Sequence, residues 1–334
     1  FWQSALFPIR HFSRTKFLRV VNDLNLCADR QMFRTVVLGN FDGLHIGHQK
    51  LIQLGRTIAD TYGEELAVFT FHPQIQELRN PEFRYLLSLE QKQQKFKQLH
   101  VEHIETVPFD EQVASLSPEA FVEQILVEGM QARHVVVGFN YTFGYKGAGT
   151  SELLVDLCKA YGIEVTVMQP CYVGEEVVSS SAIRQYLQEG AIEKANALLG
   201  YVFTLQGEVV HGNQIGRTIG FPTANIPVPK QQMIPANGVY AAIVTVDGNR
   251  YPGILNIGHR PTVANGSHIS IEVHLMNFDN DIYGKEISIA VCHFLRKESK
   301  FDGLDQLKAQ LEKDKQNAMH LFQENTCKTC SYHV

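Results

Sequence analysis

No stretch of this 334-residue chain is apolar for the roughly 18 residues that cross a bilayer, which excludes an α-helical membrane protein. Cysteine is scarce and scattered. The six (Cys27, Cys158, Cys171, Cys292, Cys327, Cys330) suggest no disulfide framework. Cys327 and Cys330 form one CxxC without a second pair, so a plain tail is favoured there over a zinc or redox site. An excess of basic charge is also missing. Thirty Lys and Arg against 35 Asp and Glu give a net charge of -5, which argues against a nucleic-acid partner and against a membrane surface. The h-region and cleavage site of a secretory signal are absent too. No acidic residue precedes Asp23, and Arg10, Arg14, Lys16 and Arg19 make that segment basic, compatible with a transit peptide. The plainer reading is an extended reading frame or a cloning remnant, with a cytoplasmic location expected. Internal repeats and low-complexity segments are lacking.

The remainder is 44% hydrophobic and 19% charged, the composition of an ordinary globular protein, and long enough for two cores. The segment Thr35–Leu51, TVVLGNFDGLHIGHQKL, organises the first half. An apolar run stops at Gly39, a Gly/Asp turn follows, and a helical pattern begins near His45. Strand, glycine turn and helix N-terminus suit a polyphosphate. Further apolar runs at Leu66–Phe71, Ile104–Phe109, Val135–Val137 and Ile163–Met168 alternate with helical patterns. Ser88-Leu89-Glu90-Gln91 is a capping box, Ser117-Pro118 an N-cap with proline at the first helical position. Phe17–Val21 reads as one more strand. This alternation predicts a doubly wound α/β domain with a parallel sheet.

Beyond Tyr201 the period changes from 3.6 to 2. Five strand-like runs (203–210, 239–246, 251–256, 269–275, 287–294), with an Asp247-Gly248 hairpin signal, predict a closed or nearly closed antiparallel barrel, and one amphipathic helix at about Leu304–Phe322 ends the domain. The expected division is an extension over 1–16, an α/β domain over 17–186, a helical linker over 187–201, a barrel over 202–322 and a tail over 323–334.

Several residues bear chemistry. His45 and His48 at i, i+3 share a helix face, and imidazoles there can stabilise charge building on an α-phosphate. Gly47 between them allows a close backbone approach. Ser179, Ser180 and Ser181 offer hydroxyls at a helix start, read unaided as an N-cap, and Arg184 adds a fork of donors. In the second half Gly212, Gly216 and Gly220 make a pliant loop that carries Arg217. Thr223 and Asn225 project to one side of an extended segment, and their oxygens suit Mg²⁺ held jointly with nucleotide phosphates. Glu272 and His274 occupy the polar face of a strand, which is ordinarily just solvated.

The pattern Gly39-Asn40-Phe41-Asp42-Gly43-Leu44-His45-Ile46-Gly47-His48 resembles the HxGH nucleotidyltransferases, in particular their flavin adenylyltransferase branch. Pro108-Phe109-Asp110, Leu116–Val122, Gly138-Phe139-Asn140-Tyr141-Thr142-Phe143-Gly144 and Ser179–Arg184 continue the resemblance. Gly216–Asn225, Asn237–Ala241, Asn256–Thr262, Glu272-Val273-His274, Asp281–Lys285 and Leu295–Glu298 are similar to riboflavin kinases. Two departures stand out. Ser181 occupies a position where threonine is usual, and His72-Pro73-Gln74 replaces a Pro-His-Pro, so His72 receives no role.

The resemblance implies a bifunctional riboflavin kinase/FAD synthetase. Its barrel, six-stranded in that family, would phosphorylate riboflavin with ATP to FMN, Glu272 acting as general base. The α/β half would join FMN to AMP from a second ATP, giving FAD and pyrophosphate, with His45, His48 and Arg184 at the transition state. Gly39, Asn40, Phe41, Asp42, Gly47 and the serines would lie on the nucleotide, Asn140 on the flavin side, and Gly216, Arg217, Thr223 and Asn225 on the kinase nucleotide and Mg²⁺. Expected partners are the small molecules riboflavin, FMN and ATP, with a homo-oligomer left open. Retention of one activity alone, another acceptor, or a non-catalytic flavin-binding regulator are the alternatives.

Overall fold

The computed structural model describes residues 33–212, 216, 220–262 and 266–323. The Phe17–Val21 strand, the basic extension, Arg217 and the CxxC tail lie outside them. Two compact units emerge. Among the described residues, one comprises 33–39 with Leu51–His72 and Val101–Gln169; the other comprises Asn40–Lys50, Pro73–His100 and the described residues from Pro170 onward.

The first unit is built on β1 (Arg34–Leu38), β2 (Glu65–Phe71), β3 (His103–Val107), β4 (Ala132–Gly138) and β5 (Glu164–Met168), in the order β3-β2-β1-β4-β5 with every pair parallel. Val36, Val37, Leu38, Val135, Val136 and Val137 are wholly buried, so the central strands are covered on both faces and show no alternation. The chain leaves β1 for β2 and β3 on one side, then returns to place β4 and β5 on the other. Neighbouring β1 and β4 therefore end side by side where the winding reverses, with Gly39 after one and Gly138-Phe139-Asn140 after the other. The helices Ile46–Tyr62, Leu89–Gln98 and Ser151–Lys159 fall where the sequence pattern predicts. Ser88 and Gln91 form the expected reciprocal cap, and Ser117 caps Pro118–Phe121, which continues as a π-helical stretch to Gly129.

In the second unit a two-stranded ribbon, β6 (Tyr172–Val173) and β7 (Glu176–Val177), precedes the helices Ser180–Glu189 and Ile192–Leu199. Each helix ends on a left-handed glycine, Gly190 or Gly200. Then come β8 (Thr204–Glu208), β9 (Ala224–Ile226), β10 (Gly238–Val246), β11 (Asn249–Thr262), β12 (Gly266–Leu275) and β13 (Glu286–Arg296), an antiparallel sheet in the order β8-β13-β10-β11-β12-β9. A bridge beside its edges, with the Val210 amide donating to the Asn225 carbonyl at 2.8 Å, nearly closes it into a barrel. Alternation on β10 serves two cores at once. Tyr240, Ala242 and Val244 enter the barrel, while Val239, Ala241 and Ile243 meet Ala318 and Phe322 of the terminal helix Leu304–Gln323. Asp247 and Gly248 both take positive φ in the hairpin turn, as their sequence predicts. The sixth strand, β9, has only three residues, too few for a period to register.

Candidate active sites

The first site grows from the turn after β1. Phe41 lies in the left-handed region at φ 49°, a conformation costing about 1–2 kcal/mol for a bulky residue. Packing holds it there. Its buried ring meets Phe96 edge-on at 5.4 Å and His48 at 5.3 Å. His45 then caps the helix Ile46–Tyr62 with its own ring: Nδ1 accepts the His48 amide at 3.3 Å, and its carbonyl accepts the Gln49 amide at 2.9 Å. That leaves the His45 ring proton on Nε2. The two imidazoles stack at 3.7 Å and 14°. Gly47 packs closely here, since a Cβ there would sit 3.2 Å from the His45 ring, which would have to yield by a few tenths of an ångström.

Burial governs the charge of the pair. It lowers the His45 pKa to about 4, and it lowers that of His48 well below the ordinary value, with the charges of His45 and Lys92 adding to the effect. Both rings are therefore neutral at pH 7 and act as hydrogen-bond donors rather than cations. Among the described residues nothing bonds the buried Nδ1 of His48.

The other expected residues cluster around Asp42. Its carboxylate accepts the Leu86 amide at 3.0 Å and pairs with Arg184. Arg184 also reaches the Arg84 carbonyl at 3.3 Å and lies 4.7 Å from the Phe83 ring centre. Ser180 donates to the Asp42 carbonyl at 2.9 Å, while Ser179 accepts the Ala182 amide at 3.2 Å as an N-cap. Only Ser181 of the three is exposed. Asp42, read from sequence as a nucleotide contact, is thus also the anchor that draws Arg184 and Ser180 to the turn. Gly39 belongs to the first unit, its amide donating to the Phe69 carbonyl at 3.3 Å. Asn140 also belongs to that unit and is exposed just past β4.

Sequence reading missed three contributors here. Lys92 and Gln74 each donate to the Asn40 carbonyl at 2.8 Å, and Tyr201 donates to the Gly43 carbonyl at 2.5 Å. Lys92 sits in LEQKQQKFKQ among polar residues that read as a solvated helix face. The signal was present only as its placement four residues before Phe96, on the buried side.

The second site lies on β9 and β12, where Glu272 stands opposite Asn225 in register. Thr223 Oγ1 donates to Glu272 Oε2 at 3.4 Å. Ile271, Val273 and Leu275 are buried while Glu272 and His274 are not, as the alternation predicts. His274 Nδ1 lies 2.8 Å from the Pro222 carbonyl, fixing the approach to Thr223. Gly212 leaves room for the Asn225 side chain: a Cβ there would fall 2.4 Å from Asn225 Nδ2 and force that side chain to shift. Gly216 would likewise bring a Cβ onto the Phe221 carbonyl oxygen. A cavity of about 400 Å³ opens here, lined by Gly212, Thr223, Asn225, Phe278, Asp281 and Tyr283 among others. Glu272 is outside that lining and borders it through Thr223. No cluster of three His, Cys, Asp or Glu suited to a metal occurs among the described residues. The neutral oxygens of Thr223 and Asn225 suit a hard cation that arrives with phosphate ligands of its own.

The candidate sites are thus a turn with two neutral stacked imidazoles and a barrel with a carboxylate beside a hydroxyl and an amide. A family model described as FAD synthetase matches residues 28–182, and one described as riboflavin kinase matches 199–322. The bifunctional riboflavin kinase/FMN adenylyltransferase of Listeria monocytogenes is 42% identical over 295 residues, covering 86% of this chain and 92% of its own. The Bacillus subtilis enzyme of that name is 39% identical over 312 residues (92% and 98%), and the Escherichia coli enzyme 36% over 310 (92% and 98%). A Streptococcus pneumoniae crystal structure described as a macrolide-efflux protein matches with a TM-score of 0.81 at 32% identity, covering 87% of this chain and 95% of that one. No described helix of the present chain is long and apolar enough to cross a membrane. The chain belongs to the bifunctional riboflavin kinase/FMN adenylyltransferase family. It phosphorylates riboflavin with ATP to FMN and adenylylates FMN with ATP to FAD and pyrophosphate.

Proposed function

We propose that adenylyl transfer runs on the Asn40–His48 turn and riboflavin phosphorylation on the Thr223–Glu272 pair, within functional domains spanning 17–186 and 202–322 joined by a 187–201 linker. The stacked, neutral His45 and His48 carry the first assignment. In it the FMN phosphate attacks the α-phosphorus of ATP in line. The bond from that phosphorus to the bridging oxygen breaks, and pyrophosphate leaves with the electron pair. No covalent enzyme intermediate is needed. The imidazole N–H groups hold the oxygens on which charge develops, with Arg184 adding its guanidinium. Gly39, Asn40, Phe41, Asp42, Gly47 and Ser179–Ser181 shape the nucleotide side, and Asn140 serves the flavin.

In the barrel Glu272 accepts the proton of the riboflavin 5′-hydroxyl as that oxygen attacks the γ-phosphorus of ATP, and the bond from that phosphorus to the β–γ bridging oxygen breaks, ADP leaving with the electron pair. The contact from Thr223 orients this carboxylate. Thr223 and Asn225 would hold Mg²⁺ together with the nucleotide phosphates, and the ion would offset their charge. Gly216 and Arg217 belong to the same nucleotide loop. Both reactions are read as cytoplasmic.

The test is a division of labour. In purified protein given riboflavin, ATP and Mg²⁺, His48→Ala should lower FAD formation by about 100-fold or more and spare FMN formation. Glu272→Ala should lower FMN formation to a similar degree and spare the conversion of added FMN to FAD. Loss of both activities in either folded variant would overturn the two-site assignment.

A further inference from the structure

Lys92 is a nearly buried ammonium that neither reaction described above employs. It lies one turn into the helix Leu89–Gln98, whose reciprocal Ser88–Gln91 cap fixes its start and so its rotation. A lysine in such a place needs compensation for its lost hydration. Its Nζ donates to the Asn40 carbonyl at 2.8 Å, an oxygen that also takes the Gln74 amide at the same distance. Phe96, one helical turn on, lies with its ring centre 6.0 Å from that Nζ and packs against Phe41. Lys92 therefore grips the residue at which the turn begins, from the helix that also supports the strained Phe41.

We infer that Lys92 is a positioning residue for adenylyl transfer, its ammonium fixing the Asn40 carbonyl and so the backbone that presents His45 and His48 to the nucleotide. The inference rests on placing that reaction at this turn. Lys92 keeps its proton throughout; the bonds made and broken remain those between FMN, the α-phosphorus and pyrophosphate.

The electrostatics agree with this role. Both imidazoles are neutral, and the guanidinium of Arg184 is paired with Asp42. Several charged or titratable groups face Lys92. Asp42 approaches from the turn and favours its charged form; His48 faces it from the helix Ile46–Tyr62; Lys95 lies three residues along its own helix. Burial outweighs Asp42 and lowers the Lys92 pKa to about 8. The ammonium is complete below that pH and is lost as pH rises through it.

The experiment measures FAD formation from FMN and ATP with Mg²⁺ between pH 6 and 10, in full-length wild type, Lys92→Met, Lys92→Arg and His48→Asn. Wild-type kcat/KM should fall about tenfold per pH unit above pH 8, as a single lost proton requires. Lys92→Met should lower kcat by about 100-fold with much smaller changes in KM for FMN and ATP, as misplaced groups do. FMN formation in the same variant should stay at the wild-type rate. Lys92→Arg should recover most of the rate and lose the alkaline decline, because a guanidinium stays charged throughout this range. A wild-type rate in Lys92→Met, or an unchanged alkaline limb in Lys92→Arg, would overturn the inference. Should Lys92→Met fail to fold by circular dichroism, the Lys92→Arg profile decides alone. His48→Asn separates the underlying assumption: if that variant makes FAD normally, the turn is not the adenylyl site, whatever Lys92 does.

Discussion

In the Asn40–His48 turn the backbone carbonyls of Asp42, Gly43 and Leu44 are each held by a side chain, from Ser180, Tyr201 and Gln49. Strands β9 and β12 instead keep Asn225 against Glu272 through an antiparallel ladder that runs from Ala224↔Val273 to Ile226↔Ile271. The first arrangement stores its geometry in side chains, so single substitutions can release it one tie at a time. In the second the backbone sets the register and the side chains ride on it, so damage comes from steric intrusion rather than from a missing partner. Irregular backbone also suits anion binding better than a ladder does, because a ladder has already committed its amides.

That contrast is open to attack, and Asp42→Asn gives the largest expected effect. Losing the carboxylate charge strands Arg184, which is only partly exposed, and should cost about 2 kcal/mol of stability, short of the penalty for a fully buried pair. FAD formation should fall about 100-fold through misplacement of the turn, with FMN formation unchanged. Thermal unfolding and product separation would check both. Next comes Gly212→Ala, which should displace Asn225 and lower kcat/KM for ATP in FMN formation roughly tenfold without touching FAD formation, a change of about 1.4 kcal/mol. Tyr201→Phe removes one tie to Gly43 and should cost about 1 kcal/mol, seen as a several-fold slower FAD synthesis. The smallest effect is an expected flat line. With His45 lowered to about 4 and His48 also depressed, kcat/KM for FAD formation should show no histidine limb between pH 6 and 7.5. An inflection near 6.5 beyond the one that ionisation of the FMN phosphate itself produces would mean that the imidazoles act as cations.

Much of this was legible in the sequence because it is local. The Ser88 and Ser117 caps, the Asp247-Gly248 turn and the alternation around Glu272 each depend on residues within a few positions of one another. What was not legible is non-local. Asp42 meets Arg184 across 142 residues, and Gln232 meets Gln91 across 141. No periodicity carries information about such pairs. Lys92 was hidden by a third effect: its helix is polar enough that one buried lysine does not disturb the pattern.

The hydroxyl of Tyr201 lies 158 residues downstream of the Gly43 carbonyl that it closes. A ribosome adding roughly 5–20 residues per second needs about 10–30 s to cover that distance. For that interval a nascent chain displays its histidine motif without the tie that completes the turn. Synthesis of the chain therefore has a built-in order, in which the turn around Gly43 is completed only once the segment around Tyr201 has left the exit tunnel.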